Sequence, residues 1–310
     1  MCGGMDRRVI ARLWLVLVMV TAGGARAATP RLYVDCRGTP TSAPTVILEA
    51  GAFGTSADWD FVLKDLAEGG RACAYDRAGL GRSPGADEAK DVIARAEQLR
   101  DTLDQMGETA PLILVGHSNG TAYVEAFAKL YTPRVAGLVY VNGVTSDDLD
   151  QPVVIDDLRK ERRLSELAAR AERLGLAPVI APLLVAQIGL TGEAAHYKYR
   201  SLTCRVCVSV ARDEDRLLIA GLEAVRELDG DISHVPLAVV VGDTDPKSRL
   251  AQAFHAAETA PARRAVHAWI LDAPGATHVS PLSRDRAYIV AAVNWLRSTY
   301  RPLPDPNIGH

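Results

Sequence analysis

The pentapeptide Gly116-His117-Ser118-Asn119-Gly120 constrains the fold of this chain more than any other segment. It follows the apolar run 111–115 and precedes the apolar segment 122–130, which predict a buried strand and a helix. A strand that turns sharply into a helix strains the backbone of the central residue, and the two glycines let neighbouring backbone approach without a clash. The pattern therefore predicts that Ser118 stands clear of a sheet edge, with the positive end of a helix dipole beneath it.

Further apolar runs along the chain alternate with helical segments. Strands are predicted at 31–35, 45–49, 71–75, 111–115, 135–141, 237–241 and 266–271. Strands that alternate with helices favour the α/β class, with a mostly parallel central sheet flanked by helices. From about Thr145 to about Ser233 this alternation stops and charged segments of helical period replace it. We expect this stretch to form a helical lid inserted into the sheet domain.

Residues 1–27 are predicted to be a secretory signal peptide. Three arginines within the first twelve residues precede the apolar run Leu13 to Val20, and Ala25-Arg26-Ala27 follows as a cleavage site. The run is shorter than the about 20 residues that a membrane span needs. We therefore expect cleavage after Ala27, a secreted or periplasmic protein, and no stable membrane insertion after cleavage.

Removal of this segment leaves one predicted domain, residues 28–310, with a core of 28–144 and 234–310 and the lid at about 145–233. It contains 31 basic and 37 acidic residues, a net charge of −6. A negative protein attracts the phosphate backbone poorly, which argues against a nucleic-acid partner.

A serine hydroxyl becomes a useful nucleophile when a histidine takes its proton and a carboxylate orients that histidine. His278 is the predicted base, because it lies in the loop between the last predicted strand and the last helix, at the carboxyl edge of the sheet. The remaining histidines lie in the Gly116 to Gly120 turn, in a strand, in the lid or helices, or at the chain end.

The predicted acid is Asp245, in the turn that follows the predicted strand 237–241, one strand before the loop of His278. This choice gives the chain order serine, acid, histidine. Asp243 in the same turn competes for the role, and Asp147 and Asp148 after an earlier strand are more distant candidates.

An oxyanion needs two donors that are already in place. The backbone N–H of Asn119, directly after the serine, is one predicted donor. The N–H of Ala52, in the glycine loop Gly51 to Gly54, is the other.

Five motifs together resemble the α/β-hydrolase superfamily, in its ester- and lipase-like branch. They are Leu48-Glu49-Ala50-Gly51, Tyr75-Asp76-Arg77-Ala78-Gly79-Leu80-Gly81-Arg82-Ser83, the Gly116 to Gly120 turn, Gly242 to Pro246, and His278. Two departures concern Ala50-Gly51, where many relatives carry His-Gly, and Thr121, where many carry a second glycine; neither removes a catalytic group.

The resemblance implies a serine hydrolase that cleaves a small-molecule carboxylic ester through an acyl-enzyme, with no cofactor and no metal. The aliphatic segment 179–190 favours a small or medium apolar acyl group. Alternatives on the same apparatus are a cofactor-free perhydrolase or acyltransferase, and a hydrolase of amides, peptides or lactones. A binding protein that has kept the fold is a third hypothesis. The turn of Asp76 and Arg77 is expected to organise loops rather than to act in catalysis.

Four cysteines remain after residue 27, and in an exported protein they are expected to form disulfides. The resemblance places the strands of Cys36 and Cys73 side by side and antiparallel, which implies a bond between them. Cys204 and Cys207 are the other predicted pair; their C-x-x-C spacing also occurs in redox and zinc sites, but no second ligand pair stands at metal spacing.

Overall fold

The computed structural model describes residues 31–85, 91–242 and 248–301. The predicted signal peptide and the turn that carries Asp243 and Asp245 lie outside these residues.

Seven strands form one sheet in the described part of the chain. They are β1 (Val34–Arg37), β2 (Thr45–Glu49), β3 (Ala72–Tyr75), β4 (Leu112–His117), β5 (Val135–Val141), β6 (Leu237–Val241) and β7 (Ala268–Asp272). Their spatial order is β1-β3-β2-β4-β5-β6-β7, with β1 antiparallel to β3 and every other pair parallel. The predicted α/β class with a mostly parallel sheet is confirmed.

Helices connect the strands and cover the sheet. They are α1 (Asp60–Leu66), α2 (Val92–Gln105), α3 (Gly120–Leu130), α4 (Pro152–Arg173), α5 (Ala177–Ile188), α6 (Gly192–Leu202), α7 (Arg205–Arg226), α8 (Arg249–Glu258) and α9 (Ala287–Thr299). Helices α4 to α7 lie between β5 and β6, in the span where the sequence predicts the lid, and are called the helical insertion below. A short 3-10 helix, Ser146–Asp150, leads into it.

The central strands are buried on both faces of the sheet, which explains why they read as continuous apolar runs. Side chains of α2, α3 and α7, such as Leu99, Phe127 and Leu222, pack on one face. Trp59 and the side chains of α1 and α9, such as Leu63 and Val293, pack on the other. The carboxyl ends of the parallel strands are thereby left free to carry the site.

Both predicted cysteine pairs form disulfides. Cys36 of β1 lies opposite Cys73 of β3 in the antiparallel register, with a Cα–Cα distance of 4.0 Å. Cys204 and Cys207 are bonded at the start of α7, with a Cα–Cα distance of 5.2 Å.

Within 31–85, 91–242 and 248–301, no helix combines the length and apolar character needed to cross a membrane. The same residues contain no group of three or more histidine, cysteine or acidic side chains arranged to hold a metal ion.

Candidate active site

Ser118 lies in the tight turn between β4 and α3, and its φ of +53° is in the left-handed region that a non-glycine residue rarely occupies. The turn tolerates no side chain on either side. A Cβ on Gly116 would lie 2.6 Å from Cα of Thr121, and a Cβ on Gly120 would lie 2.6 Å from the carbonyl oxygen of Ala50. The strained serine and its glycines are therefore arranged as the sequence predicts.

Hydrogen bonds to the neighbouring strand stabilise this strained turn. The amide of Ser118 donates to the carbonyl oxygen of Val141, at the end of β5, over 3.0 Å. The carbonyl oxygen of Ser118 accepts from the amides of Thr121 at 3.0 Å and Val144 at 3.2 Å. The surrounding structure thus determines the backbone of the serine, which is the condition for strain to persist.

The loop after β2 approaches the serine closely, because a Cβ on Gly51 would lie 3.0 Å from Cβ of Ser118. The next residue is Ala52, one of the two predicted oxyanion donors. Among the hydrogen bonds of the described residues, none uses the amide of Ala52 or that of Asn119 as donor. Asn119 also stands at the amino end of α3, where the helix dipole favours negative charge.

The guanidinium group of Arg77 stabilises the loop after β2. Its guanidinium donates to the carbonyl oxygens of Ala50 at 2.6 Å and Gly51 at 3.0 Å, directly before the amide of Ala52. The same group pairs with the carboxylates of Glu49 at 2.6 Å and Glu214 at 2.9 Å. The predicted role of this turn in organising loops agrees with these contacts, whereas nothing in the sequence pointed to the partners.

Glu214 belongs to α7, so the helical insertion takes part in holding this loop. It also pairs with Arg95 of α2 at 2.8 Å, which completes a fully buried cluster of two arginines and two glutamates. Burial raises the pKa of Glu49 to about 7 despite the opposing effect of Arg77. A second contact comes from Lys198 of α6, whose Nζ donates to the carbonyl oxygen of Phe53 over 2.8 Å.

His278 lies in the loop that follows β7, and two side chains bind its main chain. Nε2 of His117, inside the serine turn, lies 2.9 Å from the carbonyl oxygen of His278. Nδ2 of Asn142 donates to the same oxygen over 3.0 Å, and Oδ1 of Asn142 accepts from the amide of Gly242 over 2.6 Å. Asn142 therefore joins the loop of the predicted base to the start of the turn that carries Asp245.

The imidazole of His278 stands in a crowded environment that lowers its pKa, mainly through desolvation, with the carboxylate of Asp157 opposing the shift. The residue is nevertheless exposed to solvent. A histidine with a lowered pKa is neutral at pH 7 and able to accept a proton.

One cavity of about 430 Å³ brings Ser118 and His278 together. Gly242 and Ser248, which flank the turn of Asp243 and Asp245, line the same cavity. Of the distant acid candidates, Asp148 lines it too, but its carboxylate accepts from the amide of Thr145. Asp147 faces elsewhere and pairs with Arg264.

The helical insertion supplies one wall of the cavity through α4, with Val154, Asp157, Leu158 and Glu161. Helix α8 contributes another wall, which includes Leu250 and Phe254. The expectation that segment 179–190 faces the acyl group is wrong for this cavity. Helix α5 packs with one side on the sheet cluster and exposes the other side to solvent.

A serine in a strained turn and a histidine that lines the same cavity are the features expected of a site of the α/β-hydrolase class. The model of the alpha/beta hydrolase family matches residues 46–292, and the chain belongs to this family.

Similar proteins have several activities. A putative carbamate hydrolase of Variovorax paradoxus is 39% identical over 106 residues, which cover 33% of this chain and 39% of that protein. A solved thermophilic esterase of Thermogutta terrifontis is 22% identical with a TM-score of 0.62, covering 87% of this chain and 94% of the other. An epoxide hydrolase of Vigna radiata is 16% identical with a TM-score of 0.68, covering 87% and 95%.

The matched region spans about two fifths of the length of the curated relatives, 38% and 39% for the first two. The likeness to the two solved structures concerns the fold. Together with the family match, it shows that the chain has the fold of the alpha/beta hydrolase family.

Proposed function

We propose that the protein is an exported serine hydrolase that cleaves carboxylic esters through an acyl-enzyme. Ser118 is the nucleophile, His278 the general base and Asp245 the acid that orients it. The observation that carries this proposal is the shared cavity of Ser118, in its strained turn, and His278.

In the first half of the reaction, His278 takes the proton of the Ser118 hydroxyl as the oxygen attacks the ester carbonyl carbon. The amides of Ala52 and Asn119 donate to the oxyanion that forms, and His278 returns the proton to the leaving alcohol. In the second half, His278 takes a proton from water, which attacks the acyl-enzyme and releases the acid and the free serine.

Export is proposed from the arginine-led apolar run of residues 1–27 together with the two disulfides, since such bonds persist in oxidising compartments. Mass spectrometry of the exported protein tests this directly. A mature chain that begins at Ala28 with four oxidised cysteines is the expected result, and retention of residues 1–27 on the exported protein contradicts it.

The test of mechanism is labelling of the purified protein by a fluorophosphonate probe, with hydrolysis of 4-nitrophenyl acetate, butyrate and octanoate in parallel. Ser118→Ala is expected to abolish both labelling and turnover. Asp245→Asn is expected to lower kcat by about 10⁴-fold, as loss of the orienting acid does in other triads.

Asp243→Asn provides the matched control, because it removes an acid from the same turn and is expected to leave kcat within a fewfold of the parent value. A reversed result would assign the acid to Asp243. A folded protein that neither labels nor hydrolyses any ester would contradict the enzyme assignment and favour a binding protein.

A second candidate is the hydrolysis of an ester or amide that carries a positively charged amine, which the acidic wall of the cavity favours. Asp148, Asp157 and Glu161 line it, and the described lining residues include no lysine or arginine. Oε2 of Glu161 is buried and has no hydrogen-bond partner within the described part of the chain. Burial, together with Asp215 and Asp157, raises the pKa of Glu161 to about 7, and a cationic ligand beside this carboxyl group would favour its charged form.

Comparison of L-alanine methyl ester with N-acetyl-L-alanine methyl ester separates the two candidates, because the pair differs in the free amine. A kcat/KM more than tenfold higher for the free amine, lost in Glu161→Gln, supports the second candidate. Equal values, or a preference for the acetylated ester, exclude it and leave the neutral ester.

A further inference from the structure

The outer surface of the helical insertion exposes an apolar patch of unusual size. The patch consists of Leu164 and Leu167 on α4, Leu174 at its C-cap, Leu176 in the connection, and Val179, Ile180, Leu183 and Leu184 on α5. Leu174 is 75% exposed, and Val179 and Leu183 are 72% exposed. Monomeric proteins rarely leave a contiguous apolar surface of this kind in water unless it contacts another molecule.

Helical spacing places the members of each helix on one side of it, and α4 and α5 contact each other. Leu164, Leu167 and Leu174 recur at intervals of three and seven residues, which places them on one side of α4. Val179 and Leu183 share a side of α5 at an interval of four, and the opposite side of α5 packs on the sheet cluster through Ala181 and Val185. Helix α5 contains no charged residue at all.

The exposed charges around the patch are positive. Arg163, Arg170 and Arg173 are exposed between its leucines and form no ion pair with other described residues. The acids of the same stretch are less exposed and have partners, because Glu166 pairs with Arg162 and Arg216, and Glu172 lies near Arg205. The exposed charges from 162 to 189 are therefore all positive, on a chain whose net charge is negative.

We propose that this patch docks the protein on the surface of an anionic phospholipid bilayer. The leucine and valine side chains enter the boundary between headgroups and acyl chains, while the arginines remain at the level of the phosphates. Binding is peripheral, because a helix that is apolar on its outer side and packed against the protein on its inner side lies in the plane of the membrane–water interface. Helix α4 also lines the cavity of Ser118, so docking brings the site next to lipid-borne molecules.

The test is flotation of the purified protein with vesicles of phosphatidylcholine containing 30% phosphatidylglycerol, compared with vesicles of phosphatidylcholine alone. Binding is expected to be stronger on the anionic vesicles and to fall as salt rises. The double variant Val179→Asp/Leu183→Asp is expected to lower the partition coefficient more than tenfold. Arg163→Glu and Arg170→Glu are expected to lower it about fivefold or more each.

Val266→Asp and Arg31→Glu are matched controls, because both residues are exposed at other places on the surface. They are expected to bind vesicles as the parent does, and unchanged thermal unfolding of all variants shows that the fold is intact. Sedimentation velocity is run on the same samples. Binding that persists in the patch variants, no binding by the parent, or a dimer that the patch variants dissociate would each overturn the proposal.

Discussion

The ring of His117 lies against the main chain of His278, with Nε2 of the first 2.9 Å from the carbonyl oxygen of the second. A carbonyl oxygen only accepts, so Nε2 of His117 carries the proton in this contact. Burial lowers the pKa of His117 to about 3, which keeps the ring neutral at ordinary pH. The residue before the nucleophile thus fixes the loop of the base without taking part in proton transfer.

His117→Phe keeps a ring beside Trp59 and removes the donor. We expect kcat for 4-nitrophenyl butyrate to fall about tenfold with little change in KM, because the base loses one of its two anchors and is no longer held in reach of the serine. His196→Phe, at an exposed position of α6, is the control and should behave as the parent. An unchanged kcat in His117→Phe would show that the loop needs no support from this ring.

Asn142 combines a positive φ of +42° with two hydrogen bonds that join the turn of Gly242 to the loop of His278. Asn142→Gly permits the same backbone but removes both bonds, and is expected to lower the free energy of unfolding by about 1–3 kcal/mol. Asn142→Asp keeps the acceptor for the amide of Gly242 and replaces the donor to His278 by an oxygen. The loss of kcat, expressed as a free energy, should therefore exceed the loss in the free energy of unfolding.

Urea unfolding and steady-state kinetics measure the two quantities for both variants. If Asn142→Asp retained the parent kcat, the link between Asn142 and His278 would be structural packing alone.

Substitution of Arg77 is expected to lower activity beyond what the loss of stability explains. Arg77→Lys keeps the buried charge but is too short and too simple a donor to serve both carbonyl oxygens and both glutamates. We expect kcat to fall tenfold or more, since the amide of Ala52 follows the carbonyls that Arg77 holds.

Arg95→Lys is the matched control, because Arg95 pairs with the same Glu214 and makes no contact with the loop. It should lose comparable stability, up to about 3–5 kcal/mol for a disrupted buried pair, with kcat nearly unchanged. Equal losses of kcat in the two variants would mean that the cluster acts on stability only.

The strands could be predicted from the sequence because a parallel sheet covered on both faces gives uninterrupted apolar runs. The bounds of β2, β5 and β6 agree with the prediction residue by residue, and those of β4 extend through Gly116 and His117 into the serine turn. The edge strands were placed less well: β1 begins three residues later than predicted, because a strand with one neighbour is partly exposed and its pattern is weak.

The supports of the site could not be predicted in the same way. His117 and Asn142 bind a carbonyl oxygen more than a hundred residues away, and Arg77 meets Glu214 on a helix of the insertion. Contacts between a side chain and distant backbone leave no local periodicity to detect. The prediction that the apolar segment of α5 lines the acyl site was wrong for a related reason. Composition alone does not distinguish a side chain that lines a cavity from one that faces solvent.

A pH dependence follows from Asp215 of α7, whose carboxylate accepts from Nδ2 of Asn119 beside the nucleophile at 3.3 Å. Burial, and to a smaller degree the neighbouring Glu214, raise the pKa of Asp215 to about 7. The folded protein therefore binds this proton more tightly than the unfolded chain, where an aspartate titrates near 3.9. Its contribution to stability is complete below about pH 4 and is lost as the pH rises through about 7.

Asp215→Asn replaces the protonated acid by an amide of the same shape that does not titrate. Relative to the parent, its free energy of unfolding should rise between pH 4 and pH 8 by at most about 4 kcal/mol, since one pKa unit corresponds to about 1.4 kcal/mol. Urea unfolding at pH 4, 6 and 8 measures this difference, with Asp213→Asn on the outer side of α7 as the control for the lost charge. A constant difference across the three pH values would mean that folding does not raise the pKa of Asp215.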